Sequence, residues 1–373
     1  MRIAHIVPSI EERHGGPSKS VRSLANAHAR LGAATDLLAT QNPLPTTPFR
    51  DAAHLAIFPR DFPGWLCPSR ELNRHLRSSG YDCVHHHSLW LRTLHYAHTA
   101  ATHFGVPLII APRGMMSNWA YQHRRWKKKL AEIFVHPGAF QAATGWHATS
   151  EDEADEIRQL GFKQPICVAP NGVNTPTTSE LAHARSHWLE LCPAIGGRPV
   201  AVFYSRFHRK KRLRELVDLW VSQNTGDWLL LLVGLPEEYS VAEINAWIGD
   251  ARAQKRIVVF DGTNQPPPYA VGSLFLLPSH SENFGMVVTE ALAAGVPVLT
   301  TDTTPWKEMA LQQAGWCVAW KDFGSTLAAA LNSSATELGA MGARGHVWAE
   351  SQFTWERSGR LLLDFYQRLR HDR

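Results

Sequence analysis

The stretch Leu276 to Thr301, LLPSHSENFGMVVTEALAAGVPVLTT, limits what this chain can fold into more than any other. Phe275, Leu276 and Leu277 form a short apolar run with no alternation, as expected of a strand covered on both faces in a parallel sheet. Pro278 stops the strand, and the loop Ser279 to Phe284 carries Ser281, Glu282 and Asn283. Gly285 lets the backbone turn closely into a helix, on which Val287, Val288, Ala291, Leu292 and Ala294 fall at helical spacing. Gly295 ends that helix, and Val296 to Thr300 restart the sheet. Strand, helix and strand in this order make the unit of an α/β fold. At 373 residues the chain has room for two domains of that kind.

Glu282 stands in the strand-to-helix loop and Glu290 on the helix, with seven residues between them. Ligands of an open parallel sheet sit beyond the carboxyl ends of its strands, so Glu282 is expected at a binding rim with helix amides facing an anion. A carboxylate accepts from two neighbouring hydroxyls at once, which suits one glutamate to a sugar ring and the other to a ribose diol. A bare pair of glutamates reads better as solvated acids flanking a helix, and only the whole unit favours a ligand. Ser281-Glu282-Asn283-Phe284-Gly285, followed by Glu290-Ala291-Leu292-Ala293-Ala294-Gly295-Val296-Pro297-Val298, resembles the signature of the retaining glycosyltransferases of family 4. The resemblance implies the GT-B fold: α/β, with two facing Rossmann-like domains and a cleft between them. On that reading residues 1–174 form an acceptor-side domain, 175–198 a linker, 199–352 a nucleotide-sugar-binding domain, and 353–373 a helix crossing back to the first domain.

A formal net charge of +5 leaves nucleic acid, an anionic membrane surface and anionic small ligands open as partners. No nucleic-acid motif is present, and none is expected to bind. The densest basic cluster is Arg124, Arg125, Lys127, Lys128 and Lys129, interleaved with Trp126 and followed by Leu130, Ile133 and Phe134. Such a helix suits an anionic leaflet, each basic side chain adding about 1 kcal/mol; it suits equally a solvated face with Trp126 turned into the core. Five cysteines lie scattered without metal-type spacing, which fits the cytosol. The apolar runs are too short to span a bilayer, and the first residues read as a strand with His5 and Pro8 inside, so neither a membrane span nor a signal peptide is expected.

Arg2 to Val7 reads as the first strand, followed by His14-Gly15-Gly16-Pro17 and a helix that Gly32 closes. Two glycines there let the backbone approach a ligand, and their place resembles the family's first loop, which implies that Gly15 and Gly16 line the donor phosphates. Asp82 to His87 reads as a strand ending in three histidines, with His85 and His87 on one face. No metal centre is expected, because three adjacent strand histidines cannot all converge and no carboxylate or cysteine stands at ligand spacing. His87 is expected at a cleft edge, His85 and His86 in core or cap roles. After the strand Pro107 to Ala111 many family members have a histidine near the donor sugar. Here Arg113 stands, as in a subgroup sharing the Ser88-Leu89-Trp90 and Arg113-Gly114-Met115 loops, and it is a candidate for holding a hydroxyl or phosphate. Ser150 caps a helix whose first turn carries Glu151, Asp152 and Glu153. Asn171-Gly172-Val173 resembles the family's domain junction, placing Asn171 beside the cleft, although Asn-Gly is also a turn signal alone.

Val200 to Tyr204 opens the second half and leads into Ser205-Arg206-Phe207-His208-Arg209-Lys210-Lys211. Arg206 and Lys211 match the family's arginine and lysine that hold the donor diphosphate, while Ser205 and Arg212 replace two of its glycines. Two cations at a strand end and a helix start neutralise a leaving diphosphate through charge-assisted hydrogen bonds. Gly234, at the end of the strand from Asp227, is a natural place for a base or ribose to pass. The resemblance implies a retaining glycosyltransferase, with Glu282, Arg206 and Lys211 catalytic and Glu290, Asn283, Phe284 and Gly285 on the donor. Its acceptor would be a lipid-linked glycan or lipopolysaccharide core at the inner face of the membrane. Neither a cofactor nor a metal is expected, because two side-chain cations and a helix end stand where a metal would, and no Asp-x-Asp pair is present. The alternatives are a sugar-nucleotide epimerase of the same fold and a non-catalytic sugar-nucleotide-binding subunit.

Overall fold

The computed structural model describes residues 1–10, 16–41, 51–117, 125–249 and 256–371. Gly15, Arg124 and the Pro/Thr-rich segment Asn42 to Phe49 lie outside them. The chain divides into two compact units, Met1–Gly172 with Thr354–Arg373, and Val173–Phe353.

Unit 1 is built on a seven-stranded sheet, β1 (Arg2–Val7), β2 (Ala34–Thr40), β3 (His54–Phe58), β4 (Cys83–His87), β5 (Leu108–Ala111), β6 (Gly145–Ala148) and β7 (Ile166–Val168). The spatial order is β3-β2-β1-β4-β5-β6-β7, every pair parallel. Unit 2 carries six strands, β8 (Val200–Tyr204), β9 (Leu229–Gly234), β10 (Ile257–Asp261), β11 (Leu274–Leu277), β12 (Val298–Thr301) and β13 (Gly315–Val318), in the order β10-β9-β8-β11-β12-β13 and again all parallel. The expected α/β class therefore stands. Runs such as Leu229–Gly234 are buried along their whole length because helices cover both faces. In each unit the strand order reverses beside the first strand, between β1 and β4 and between β8 and β11, which is where doubly wound sheets bind ligands.

Helix starts follow their local chemistry. Thr177 with Glu180, Ser240 with Glu243 and Ser334 with Glu337 form capping boxes that open the helices Thr178–Leu191, Val241–Ile248 and Ala335–Gln352. The helix Arg70–Ser78 is hard to read from sequence because only Leu72 and Leu76 among its nine residues are buried. The last helix, Trp355–His371, belongs to unit 1, where Gly359 lets it pack on Ala27 and Leu31 at the end of the helix Gly16–Arg30.

Gly234 and Gly342 are among the glycines required by close backbone approach. At Gly234 a Cβ would lie 2.0 Å from the Ser205 carbonyl oxygen, so the residue makes room for the chain leaving β8. Gly342, inside the helix Ala335–Gln352, would place a Cβ 1.9 Å from the Gly295 carbonyl oxygen, the turn that ends the helix Met286–Ala293. Gly339 on the same helix has open space at its Cβ. Gly339→Ala is expected to stabilise unit 2 by about 0.5–1 kcal/mol, whereas Gly342→Ala should destabilise it by about 1–3 kcal/mol despite the same gain in helix propensity. Chemical denaturation of the two variants checks this, and effects of one sign would contradict the packing described.

Candidate active site

In unit 2 the carboxyl ends of β8 and β11 carry two loops stitched together by their backbones, the His280 amide donating to the Lys210 carbonyl at 2.8 Å. Phe207, fully buried, pins the first loop, and its amide donates to the Leu235 carbonyl at 2.8 Å. Arg206 is thereby turned to the surface, where its Nη1 donates to both carboxylate oxygens of Glu237, at 2.8 and 2.9 Å. Lys211 goes the other way and is buried. Arg212 follows in the left-handed region, φ 51°, which explains why a glycine serves at this position in the resembled pattern.

The second loop is fixed by threonine hydroxyls at the end of β12. Thr301 and Thr303 donate to the Ser279 carbonyl at 2.6 and 2.8 Å, and Thr300 donates to the Leu277 carbonyl at 2.8 Å. Ser279 then donates its hydroxyl to Glu282 Oε1 at 2.6 Å, and the Lys211 ammonium forms an ion pair with the same oxygen. Burial opposes ionisation of Glu282, but the Lys211 charge and hydrogen bond, with Ser279 and Lys210, outweigh it and hold the carboxyl below its usual range. Gly285 caps the helix Met286–Ala293 in the left-handed region, and Trp306 donates to the Phe284 carbonyl at 2.6 Å. The Phe284 side chain is buried between Trp306 and Phe353, so it can offer a donor only its backbone. Asn283, half-buried, stands beside it in the same loop. Glu290 accepts from the Tyr269 hydroxyl at 2.8 Å and lines a pocket of about 650 Å³ with Tyr269, Pro266, Pro267, Asn174 and His183. Structure thus brings Lys211, Ser279 and Glu282 into one cluster. It places Glu290 on the following helix and leaves Arg206 engaged with Glu237.

In unit 1 Arg113 ends β5 with φ 54°, and its side chain turns inward. Its Nη1 donates to Asn171 Oδ1 at 2.8 Å and its Nη2 to His87 Nδ1 at 3.1 Å. Buried Nε finds no hydrogen-bond partner among the described residues. Burial lowers the guanidinium to about 10, with the Glu153 charge working against that shift. Glu153 ties the turn down, accepting from the Gly114 amide at 2.7 Å and from the Thr149 amide and hydroxyl at 2.7 and 2.8 Å. Gly16 is the first residue of the helix Gly16–Arg30.

His87 is a correction: it is fully buried rather than at an edge, because Arg113 lies over its outer nitrogen and His5 under its inner one. His85 and His87 share one face as the strand pattern predicts, but His5 of β1 joins them, so that ligand nitrogens of His5, His85 and His87 come within 4.8 Å of one another. Donor logic fixes their protons. Arginine can only donate, so His87 Nδ1 accepts and its Nε2 donates to His5 Nδ1 at 2.9 Å; His5 Nε2 donates to His28 Nδ1 at 2.8 Å, and His28 Nε2 to the Gly359 carbonyl at 3.1 Å. A second line runs from the Tyr366 hydroxyl to His85 Nδ1 at 2.6 Å, from His85 Nε2 to His147 Nδ1 at 3.3 Å, and from His147 Nε2 to the Ala169 carbonyl at 2.9 Å. All five rings are satisfied as neutral Nε2–H imidazoles. Giving His87 Nε2 to a metal would move its proton to Nδ1, against the Arg113 N–H, so the arrangement is that of a hydrogen-bonded polar core. His86 points to the other face, bonded to Thr93 and the Ser88 carbonyl.

His5, His28, His147, Glu153, Ser279 and Tyr269 were not singled out by sequence. The available signal was His5 inside the first strand, which pairs directly with His85 across β1 and β4. Burial first, then neighbouring charges, push His5, His85, His87 and His147 well below the usual imidazole range, and burial takes His28 to about 4. The unfolded chain therefore binds protons below about pH 6.5 that the folded chain refuses, so stability present above that pH is lost as pH falls. Each such histidine contributes a slope of about 1.4 kcal/mol per pH unit. Denaturant unfolding of unit 1 between pH 7.5 and 5 should show uptake of several protons, and uptake of fewer than one would refute the neutral network.

Known proteins resemble this chain along most of its length. The family model described as Glycosyl transferase 4-like domain matches residues 15–172, and that described as Glycosyl transferases group 1 matches residues 193–336. A D-inositol 3-phosphate glycosyltransferase of Xylanimonas cellulosilytica is 25% identical, covering 94% of this chain and 91% of its own. The GDP-mannose:cellobiosyl-diphosphopolyprenol alpha-mannosyltransferase of Xanthomonas campestris is 23% identical, covering 86% of this chain and 84% of its own. Among solved structures, Anabaena HepE in complex with UDP superposes with a TM-score of 0.76 at 16% identity, covering 98% of this chain and 100% of that one. With two Rossmann-like units, a glutamate pair at the switch point of the second, and both halves matched by these models, the chain belongs to the GT-B glycosyltransferases of family 4.

Proposed function

We propose that this glycosyltransferase moves a sugar from a nucleoside-diphosphate donor to a hydroxyl of a lipid-linked glycan or lipopolysaccharide core, with retention at the anomeric carbon. The observation that carries the reading is the buried cluster of Lys211, Ser279 and Glu282 beside the Gly285 helix start, at the switch point of the unit 2 sheet. A carboxylate kept ionised there orients sugar hydroxyls and favours positive charge growing at the anomeric carbon. Lys211, Arg206 once released from Glu237, and the amides of Asn283, Phe284 and Gly285 take the charge of the departing diphosphate. Glu290 holds the ribose diol, with its pocket receiving the nucleoside. In unit 1 Arg113 and Asn171 serve the acceptor side, and His87 acts by holding Arg113.

The bond from the anomeric carbon to the phosphate oxygen breaks as that to the acceptor oxygen forms on the same face. The acceptor proton passes to the leaving phosphate oxygen. No metal is needed in this scheme, because two side-chain cations and a helix end carry the charge. The lipid-linked acceptor is supported by the Xanthomonas relative, whose name specifies a diphosphopolyprenol acceptor, and by the structural neighbour WaaG, described as involved in lipopolysaccharide biosynthesis. Such an acceptor puts the enzyme in the cytoplasm at the inner face of the membrane, with Lys127 and Lys129 of the basic cluster on the membrane side. No helix among the described residues is long and apolar enough to cross a membrane.

Thermal unfolding with UDP, GDP, ADP and CMP tests the donor site, since a ligand at about 100 times its dissociation constant adds ~2.7 kcal/mol. One diphosphate is expected to stabilise the wild type and to lose that effect in Arg206→Ala; stabilisation by none would overturn the donor site. Glu282→Gln should keep nucleotide binding and lower turnover by ~10²–10³, read as nucleoside diphosphate released in the presence of acceptor. Activity should persist in EDTA, and its loss with rescue by magnesium or manganese would sink the metal-free scheme. Conversion of the donor to an epimer without acceptor would favour an epimerase instead.

A further inference from the structure

The helix Arg125–Leu130 runs on into a π turn, Ala131–Val135, and the polarity of this segment is inverted. Trp126, Leu130, Ile133 and Phe134 are 63, 45, 60 and 70% exposed. Their spacing of four, three and one residues puts all four side chains on one face. Lys127 and Lys129, also exposed, fall to either side of that stripe. Lys128 is turned inward, its ammonium 5.6 Å from the centre of the Trp90 ring, and burial lowers its pKa. The reading with Trp126 in the core is thus overturned, and of the three lysines only two flank the apolar face.

The segment is held in this orientation from within unit 1. Arg92 donates to the Val135 carbonyl at 2.9 Å, and buried His136 packs against Trp90 and Phe140 with ring centres 5.8 and 4.9 Å away. An anchored helix that turns four large apolar side chains outward and rims them with ammonium groups matches a surface that is apolar inside and anionic at its edge. A second copy of this chain would set lysines against lysines, which charge disfavours.

We propose that this face is a membrane anchor, with Trp126, Leu130, Ile133 and Phe134 entering the acyl boundary of an anionic leaflet and Lys127 and Lys129 resting at its headgroups. The proposal deepens the membrane-side reading of the acceptor given above, yet its test needs neither donor nor acceptor, so it fails or stands apart from the catalytic reading. Cosedimentation is measured with vesicles of phosphatidylcholine alone and with about 30 mol % phosphatidylglycerol. Wild-type protein is expected to partition at least about tenfold more strongly onto the anionic vesicles. The double variant Ile133→Ser, Phe134→Ser should lose about tenfold on them at low and high salt, with an unchanged melting temperature because both side chains are exposed. Lys127→Gln with Lys129→Gln should lose a few fold at low salt and match the wild type at high salt, where charge is screened. Equal binding by wild type and the apolar double variant would overturn the anchor. So would a wild-type dimer in sedimentation equilibrium that the apolar double variant disperses.

Discussion

A sheet whose strands all run parallel, and which is covered on both faces, leaves little room for polar chemistry except where strands end, and any polar group placed there must find its partners within the protein. Both units of this glycosyltransferase obey that constraint by different means. Unit 2 meets it with charge: the ammonium of Lys211 and the hydroxyl of Ser279 converge on one oxygen of Glu282. Unit 1 meets it with imidazole, which donates from one nitrogen and accepts at the other, so that lines of rings carry hydrogen bonds through the core with no net charge of their own.

The consequence for unit 2 is that the Glu282 carboxylate is already largely removed from water and ionised before any ligand arrives. On the proposed reading a substrate would exchange partners with buried Lys211 rather than strip water from it, and fixed dipoles in a dry site act more strongly on growing charge than they would in water. The threonines at the end of β12 matter for the same reason, since their hydroxyls hold the loop without introducing another charge. In unit 1 the unmatched group is the guanidinium of Arg113, bound by neutral acceptors with one nitrogen left over.

How much of this could be read from sequence depends on the range of each interaction. The strand, turn and helix around Glu282 were legible because apolar runs, Pro278, Gly285 and Gly295 act locally. Strand ends elsewhere came within a residue or two for the same reason. Side-chain direction was not legible. Nothing near His87 says that His5, far away in the chain, will close over it and bond in turn to His28, and nothing near Arg206 predicts Glu237. At Gly234 the backbone of Ser205 comes close, a contact not legible from sequence, which shows that space is needed and not what fills it. Trp126 suited core and surface equally until the position of Trp90 settled which lysine turns inward.

The division of the chain has a further consequence for how it comes to be folded. Unit 2 is continuous, whereas unit 1 is closed by the helix Trp355–His371, made only after all of residues 173–353. That helix supplies the Gly359 carbonyl that ends one imidazole line and the Tyr366 hydroxyl that begins the other. During synthesis the amino-terminal sheet must therefore wait on the ribosome with its histidines unsatisfied while the later unit is completed, so the usual order of domain maturation along a nascent chain is reversed.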